Sequence, residues 1–349
     1  MNIIFNKIKK SYRSQKPFVV YRKPKEKEVL SFFQEDDTLH FSSDFNEEGF
    51  VFSPFNSDEK TVLFPLENSE LIKEEIVLDK DFDLKKVDIK KNNIDKEKHV
   101  HLIEAALSEI NSNKLIKVVV SRKEEVLLSE FDVLLTFKKL LTTYTNAFVY
   151  VWFHPKVGLW FGATPETLLN ISKKSFNTMS LAGTQVNKNL SKVVWKNKEL
   201  EEQQLVTNFI ENQLTPISTS LKIDKKETVK AGDLLHLRTK VTGSLNDKAS
   251  LKELIRALHP TPAVCGLPRE SAKNFINLKE NYKRTFYAGF LGELNLEKQN
   301  TSLFVNLRCM SVVDNIASVY VGGGITRESN AEKEWKETVF KSKTIKKVL

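Results

Sequence analysis

Strand-like segments in this chain come in consecutive groups, and that order constrains the fold more than any single residue does. AFVYVWFHP and GLWFGATPE are separated only by a turn, and LLNISKKSFNTMSLAGT reads as a further hairpin. After a long helix expected over about 193–213 come the strand HLRTKVTGSL and the helix LKELIRALHP. RTFYAGFLGELN, TSLFVNLRCMSVV and ASVYVGGGI then run one after another before a closing helix from Asn330 onward. A doubly wound fold alternates single strands with helices, whereas strands joined by tight turns pair antiparallel. The order therefore predicts an α+β fold with antiparallel sheets. No internal repeat or low-complexity segment interrupts it.

Residues 1 to 95 alternate short apolar runs (PFVVYR, DTLHFSS, GFVFSP, TVLFPL) with turn-forming residues, and read as short antiparallel strands without a catalytic motif. The charge-dense stretch from Asp79 to Lys98 reads as a solvated connection. An amphipathic helix follows from about Val100 to Asn111, with Leu102, Ala105, Ala106 and Ile110 on one face. KVVVSRKEEVLL is the next strand, and a helix is expected near Asp132 to Thr143. Residues 1–95 are assigned to the outer, strand-rich part of the same domain whose core is 96–349.

With 349 residues, 40% of them hydrophobic and 28% charged, the chain can bury one large core or two modest ones. No run approaches the roughly 20 apolar residues that span a bilayer, and the apolar start is too short for a signal peptide, so a cytosolic location is expected. Cys265 and Cys309 make neither a disulfide framework nor a zinc spacing, and are expected as buried free thiols. The net charge of +9 comes from signs spread along the chain and is dominated by lysine. It reads as a solvated surface whose positive field helps a small anionic substrate to arrive. Aromatic-interleaved basic patches are absent, so neither nucleic acid nor a membrane is expected as partner.

Several residues could carry chemistry. Glu199 and Glu202 in KNKELEEQQLV, and Glu334 and Glu337 in NAEKEWKET, stand at i,i+3, so each pair shares a helix face. Four converging carboxylates suit a hard divalent cation, and solvated faces balanced by lysines are the alternative. Glu166, behind Pro165 after an apolar strand, is either a shielded general acid or a helix-start carboxylate. Lys117 enters an apolar strand as a snorkelling edge residue or as a desolvated base. Arg308, inside the apolar strand SLFVNLRCMSVV, requires an anion, whether a ligand carboxylate or a structural partner. VGGGITRES places three glycines after a strand and before a helix, as an anion-approaching loop or a plain turn. His236 and His259 lack a nucleophile motif and are expected to hydrogen-bond.

Taken in order, KVVVSR, FGATPETLL, LAGT, KNKELEEQQLV, HLRTKVTG, LHPTPAVCG, FYAGFLGE, NLRCMSV and VGGGITRES…EKEWKET resemble the chorismate-utilising enzymes, and most closely the isochorismate synthases, over roughly residues 97 to 345. The resemblance implies one large α+β domain of antiparallel sheets packed face to face with helices outside, and a deep cleft that requires Mg²⁺. It implies that Lys117 activates water for attack at C2 of chorismate and that Glu166 protonates the departing C4 hydroxyl. Glu202 and Glu337 match direct Mg²⁺ ligands, and Glu199 and Glu334 those acting through bound water. Arg308, Tyr287, Lys341 and the backbone near Gly322 match the grip on the enolpyruvyl carboxylate. His236 matches a histidine beside the ring and the reacting hydroxyl, and Gly183 and Thr184 line the cleft.

Within that family, Ala182 precedes the Gly-Thr pair where aminodeoxychorismate synthases carry a lysine nucleophile. Lys117 stands where the ammonia-using anthranilate synthases usually have glutamine. Ala263 replaces the threonine that salicylate synthases commonly use in pyruvate elimination. The resemblance thus implies hydroxylation that stops at isochorismate, for menaquinone or siderophore synthesis. The alternatives are a salicylate synthase and a chorismate-binding protein without catalysis. No glutamine amidotransferase partner is expected, and a monomer is. Departures from the family pattern are Lys198-Glu199-Leu200, Glu202-Gln203, and GGG where GAG is common; none removes a metal carboxylate.

Overall fold

The structure, a computed structural model, describes residues 2–76, 93–186, 193–231 and 234–349. The expected connection from Asp79 to Lys98 thus lies outside the described residues up to position 92, and from Asn93 it is helical. The chain begins with α1 (Ile3–Arg13), β1 (Phe18–Arg22), β2 (Glu28–Gln34), β3 (His40–Ser42), β4 (Gly49–Ser53), β5 (Thr61–Pro65) and β6 (Ser69–Glu75). It continues through α2 (Asn93–Asn111), β7 (Lys117–Leu127), α3 (Val133–Thr143), β8 (Phe148–His154), β9 (Gly158–Thr164), β10 (Thr167–Ser172), β11 (Ser175–Val186) and α4 (Asn197–Leu214). Then follow β12 (Ser218–Ile223), β13 (Glu227–Ala231), β14 (Leu234–Leu245), α5 (Leu251–Leu258), β15 (Gly266–Leu267) and α6 (Arg269–Lys279). The chain closes with β16 (Phe290–Asn295), α7 (Leu296–Gln299), β17 (Asn300–Val305), β18 (Cys309–Val313), β19 (Ile316–Ile325) and α8 (Ala331–Lys346).

These strands pair antiparallel in two sheets. The first has the order β15-β7-β19-β18-β9-β8-β1-β2-β6, and the second β12-β14-β11-β10-β17-β16-β4-β5-β3, with β13 beside β14. The central strands of the first sheet, β1 and β8 among them, are buried on both faces. Val19, Tyr21, Phe148, Tyr150 and Trp152 point toward the second sheet, where they join Phe50, Phe52, Phe64, Leu291 and Phe304 in one core. The alternate residues Phe18, Val20, Val149, Val151 and Phe153 join Ile4, Phe5 and Ile8 of α1 and Phe137, Leu140 and Leu141 of α3 in another. Successive side chains of a strand face opposite ways, so strands covered on both sides read as unbroken apolar runs. The expectation of strands throughout residues 1–95 fails at α1, because Ile4, Phe5 and Ile8 at helical spacing cover the far face of the first sheet.

Two segments change sheets side by side. β9 leaves the first sheet and continues past Pro165 and Glu166 into β10 of the second; β17 leaves the second and continues past Asn306, Leu307 and Arg308 into β18 of the first. Because β9 pairs with β18 and β10 with β17, the two crossings run together in opposite directions. Polar groups hold the backbone where ordinary pairing lapses. Thr164 Oγ1 donates to Val305 O at 2.6 Å, Val305 N to Glu166 O at 3.0 Å and Ala163 N to Arg308 O at 3.1 Å. Fully buried Asn306 accepts from Tyr150 Oη at 2.6 Å and donates to Phe286 O at 2.9 Å. The single strand expected over TSLFVNLRCMSVV is therefore two strands in different sheets, with Arg308 at the break in a left-handed conformation, φ 47°. Both sheets bury apolar residues, so the pattern runs through the crossing without a gap. In RTFYAGFLGELN only Phe290–Asn295 is strand, because Thr285 and Ala288 turn the chain at φ 48° and 60°.

Phe52 of β4 stacks on Phe286 at 4.2 Å between ring centres and contacts Trp152 at 5.1 Å and Trp160 at 5.8 Å. Phe52→Ala should therefore cost about 3–5 kcal/mol in urea unfolding. A loss under about 1 kcal/mol would mean that the N-terminal strands do not share the core of the rest.

Candidate active site

The two crossings, the glycine-rich end of β19 and one face each of α4 and α8 surround a cleft, the kind of concave site in which small molecules bind. Glu166, Gly183, Thr184, Glu202, His236, Ala263, Tyr287, Arg308, Gly322, Glu337 and Lys341 all line it. The structure thus brings together around one cleft residues drawn from eight separated sequence blocks. Lys117 and Glu334 are not on its wall and are among the most buried charged side chains. His259 is elsewhere, with Nε2 3.1 Å from Pro54 O and Phe55 O. Cys265 and Cys309 are buried free thiols.

Glu166 projects from the first crossing, held by the backbone bonds described above, and its residue is only 3% exposed. Burial pushes its carboxyl up to about 8, against the opposing pull of Lys117 and Arg308. At neutral pH the group carries its proton and can donate it.

Opposite lies a set of alternating charges. Lys117, fully buried at the start of β7, stands 3.0 Å from Glu202 Oε1. The two side chains form a buried ion pair. Lys341 Nζ meets Glu337 Oε1 at 2.7 Å and donates to Gly322 O at 3.1 Å, and Lys198 pairs with Glu334. Burial opposes ionisation of Glu202, yet the ammoniums of Lys117, Lys198 and Lys341 hold it below the usual carboxylate value. Glu334 is raised instead, by burial and by the neighbouring charge of Glu337, with Lys198 countering both. With the lysines in place, no three carboxylates or histidines among the described residues close on a single point. Glu199 does not join this group. It turns back to accept from Lys196 N at 3.0 Å at the start of its own helix, where an acidic side chain satisfies a free helix N–H.

The three glycines are not a loop. Gly322, Gly323 and Gly324 are paired strand residues of β19, opposite Ser121, Val120 and Val119, and the strand runs on to Ile325. Their service is steric: a Cβ on Gly324 would lie 2.3 Å from Glu202 Oε1 and 3.1 Å from Lys117 Cε, and one on Gly322 2.9 Å from Tyr287 Oη. Tyr287 stacks on Tyr320 at 5.5 Å, and Tyr320 on Trp160 at 5.2 Å, so the aromatic wall continues into the core.

On the side of the second crossing, Arg308 donates from its guanidinium to His236 Nε2 at 2.9 Å. His236 Nδ1 lies 3.2 Å from Gly183 O and 3.3 Å from Thr184 Oγ1. Gly183, at φ 70°, sits in the register slip between Ala182 and Thr184 that turns these groups toward the cleft. Burial, followed by the charges of Arg308 and Lys341, lowers the imidazole well below its ordinary value.

Sequence reasoning named Lys198 and Gln203 only as departures from the family pattern, and did not reach Tyr320. Lys198 lines the cleft and stands four residues before Glu202, a spacing at which oppositely charged side chains meet on a helix. Gln203 gives four hydrogen bonds to the strands beneath α4: it accepts from Ala182 N at 2.9 Å and donates to Ser180 O, Ser180 Oγ and Thr239 Oγ1. A glutamine on a polar helix carries no pattern that would mark such a bridge.

A family model described as "Chorismate binding enzyme" matches residues 58–349. The chain belongs to that family. It is 30% identical over 264 residues to isochorismate synthase MenF of Escherichia coli, covering 73% of this chain and 61% of that protein. It is 29% identical over 253 residues to the salicylate biosynthesis isochorismate synthase of Pseudomonas aeruginosa, covering 70% and 53%. The matched regions thus span between half and two thirds of these relatives' lengths. Two solved structures share the fold with TM-scores of 0.81. One is a 2,3-dihydroxybenzoate-specific isochorismate synthase, DhbC, from Bacillus anthracis, at 24% identity with 99% of both chains covered. The other is the menaquinone-specific MenF of E. coli, at 22% identity with 95% and 88% covered. No helix among the described residues is long and apolar enough to cross a membrane.

The buried Lys117–Glu202 pair predicts a non-additive double mutant. Lys117→Met alone should destabilise by about 3 kcal/mol because it strands a buried carboxylate. Adding Glu202→Leu should return much of that loss, and simple additivity in denaturant titrations would refute the coupling. Glu166 predicts a pH effect. Its proton is held more tightly in the folded than in the unfolded state, so between about pH 5 and 8 the native chain binds more protons, and stability falls as pH rises. Glu166→Gln should flatten that decline, the gap changing by on the order of 1 kcal/mol per pH unit; parallel pH profiles of the two proteins would refute it.

Proposed function

We propose that the protein is an isochorismate synthase that converts chorismate to isochorismate. The observation that carries this reading is Glu166, a carboxyl kept protonated at neutral pH, facing the same cleft as a guanidinium and a set of lysine–carboxylate pairs. The reaction adds the hydroxyl of one water at C2 and expels the C4 hydroxyl as another water while the ring double bonds shift. Glu166 gives its proton to the departing C4 oxygen. Lys117 takes the proton of the attacking water. Exchange of these two protons with solvent then resets the site, and the sum is an isomerisation. Arg308, Tyr287, Lys341 and the backbone at Gly322 hold the enolpyruvyl carboxylate, and Ala263, Gly183 and Thr184 shape the wall around the ring.

The oxygen donors of Glu202, Glu334 and Glu337 are of the kind a hard cation such as Mg²⁺ takes, and Glu334, raised by burial and then by the charge of Glu337, is a carboxyl that a nearby cation would help to ionise. Glu202 and Glu337 would hold it directly, with Glu334 behind and Glu199 more remote at the helix start. When bound it would supply positive charge to the ring carboxylate. Lys198 and Lys341 meanwhile keep the carboxylates neutralised and in place. The structures sharing the fold are described as menaquinone-specific and 2,3-dihydroxybenzoate-specific, and we assign the product to menaquinone or siderophore synthesis.

The test is incubation of the purified protein with chorismate, with and without Mg²⁺, and chromatographic separation of the products. Isochorismate should form only with the metal, and Glu166→Gln should lower turnover roughly a hundredfold or more while chorismate still binds. Salicylate with pyruvate would move the assignment to a salicylate synthase, and chorismate binding without product would make the protein a non-catalytic binder.

A further inference from the structure

We infer that His236 is a positioning residue for Arg308: a neutral imidazole fixed as the Nδ1–H tautomer, whose Nε2 lone pair receives the guanidinium and turns its fork toward a carboxylate in the cleft. The argument needs only what its partners can do. A backbone carbonyl only accepts hydrogen bonds and a guanidinium only donates them. Gly183 O lies 3.2 Å from Nδ1 and the Arg308 guanidinium nitrogen 2.9 Å from Nε2. Nδ1 must therefore carry the hydrogen and Nε2 must be bare. An imidazolium would set an N–H against the guanidinium N–H groups and bury two adjacent positive charges. Lys341 is a further positive charge felt at the ring, while Gly183 O favours protonation.

The backbone fixes both ends of this link. Gly183 takes a positive φ in the bulge of β11, next to Thr184, which pairs with His236 on β14, and Arg308 takes one in the crossing between the sheets. The imidazole thus ties the second sheet to the crossing and removes rotamer freedom from a long side chain before any ligand arrives. A guanidinium already aimed loses less entropy on gripping a carboxylate. A second consequence concerns chemistry. With Nε2 occupied by Arg308 and Nδ1 by Gly183 O, the ring has no nitrogen left to exchange a proton with a substrate hydroxyl. His236 then acts on the substrate through Arg308, and not on the reacting hydroxyl as the resemblance implies. That the aimed-at carboxylate belongs to chorismate rests on the proposed function; the tautomer does not.

The experiment is ¹⁵N NMR of the histidine-labelled full chain at pH 7, with the His236 signals assigned by their loss in His236→Gln. The expected signature is a protonated Nδ1 and a pyridine-like Nε2; an Nε2–H tautomer or an imidazolium overturns the inference. In parallel, His236→Ala should raise KM for chorismate roughly 10- to 100-fold with a much smaller fall in kcat, the size of one hydrogen bond to a charged group. His236→Gln, whose Oε1 can accept from Arg308, should recover most of it. A fall in kcat with KM unchanged would place the histidine on the reacting atoms and overturn the inference. Should the wild type not turn chorismate over, the proposed function fails, and the NMR result still decides the tautomer.

Discussion

The arrangement depends on two stretches of chain that leave one sheet for the other while bonded to each other. A sheet crossing breaks the regular ladder, and the backbone groups it frees must find partners in a buried place. Here Thr164, Asn306 and the main chain of Glu166 and Arg308 supply them. The same interruption of pairing is what lets a carboxyl and a guanidinium leave apolar strands and face a cavity. Because the crossings are hydrogen-bonded to one another, the acid and the cation are placed relative to each other by backbone and not by their own flexible side chains. The large aromatic core on one side, and α1 and α3 on the other, keep both sheets from giving way beneath them.

On the opposite wall the dominant fact is charge balance. Three carboxylates and three ammoniums stand in or just behind one cleft, paired one to one. Such pairs recover only part of the desolvation that burial costs, so stability alone gives no reason to keep them. A site that receives an anion together with a cation gives one, because each arriving charge finds a partner already present. The inequality within the set supports this: Glu202 is held ionised while Glu334 is pushed toward protonation, so the two carboxylates are not interchangeable.

The legibility of all this in the sequence was uneven for physical reasons. The antiparallel α+β character followed from strand order, and the paired glutamates of α4 and α8 from helical spacing. The helix α3 starts where the N-cap Asp132 receives Leu135 N, as the pattern suggested. What was hidden lay where one pattern serves two structures. A run apolar on both faces does not reveal that it changes sheets at Arg308. Three glycines signal a loop, yet they stay in a strand because β7 pairs along their whole length and bulky neighbours need the space. Glu199 and Glu202 share a helix and a spacing, but the first lies in the opening turn, where unpaired N–H groups compete for it. The tie from His236 to Arg308 joins positions 72 residues apart, and nothing local foretells it.

The glycine floor of β19 is also graded. A methyl group at Gly322 or Gly324 would strike atoms at 2.9 Å and 2.3 Å, whereas at Gly323 the first atom met is Glu334 Oε2 at an ordinary 3.7 Å. The middle position, where the resembling enzymes commonly carry alanine, therefore tolerates that methyl without moving the backbone. This chain leaves it out. The strand thus has room at this point for a single further carbon, set against the carboxylate of Glu334.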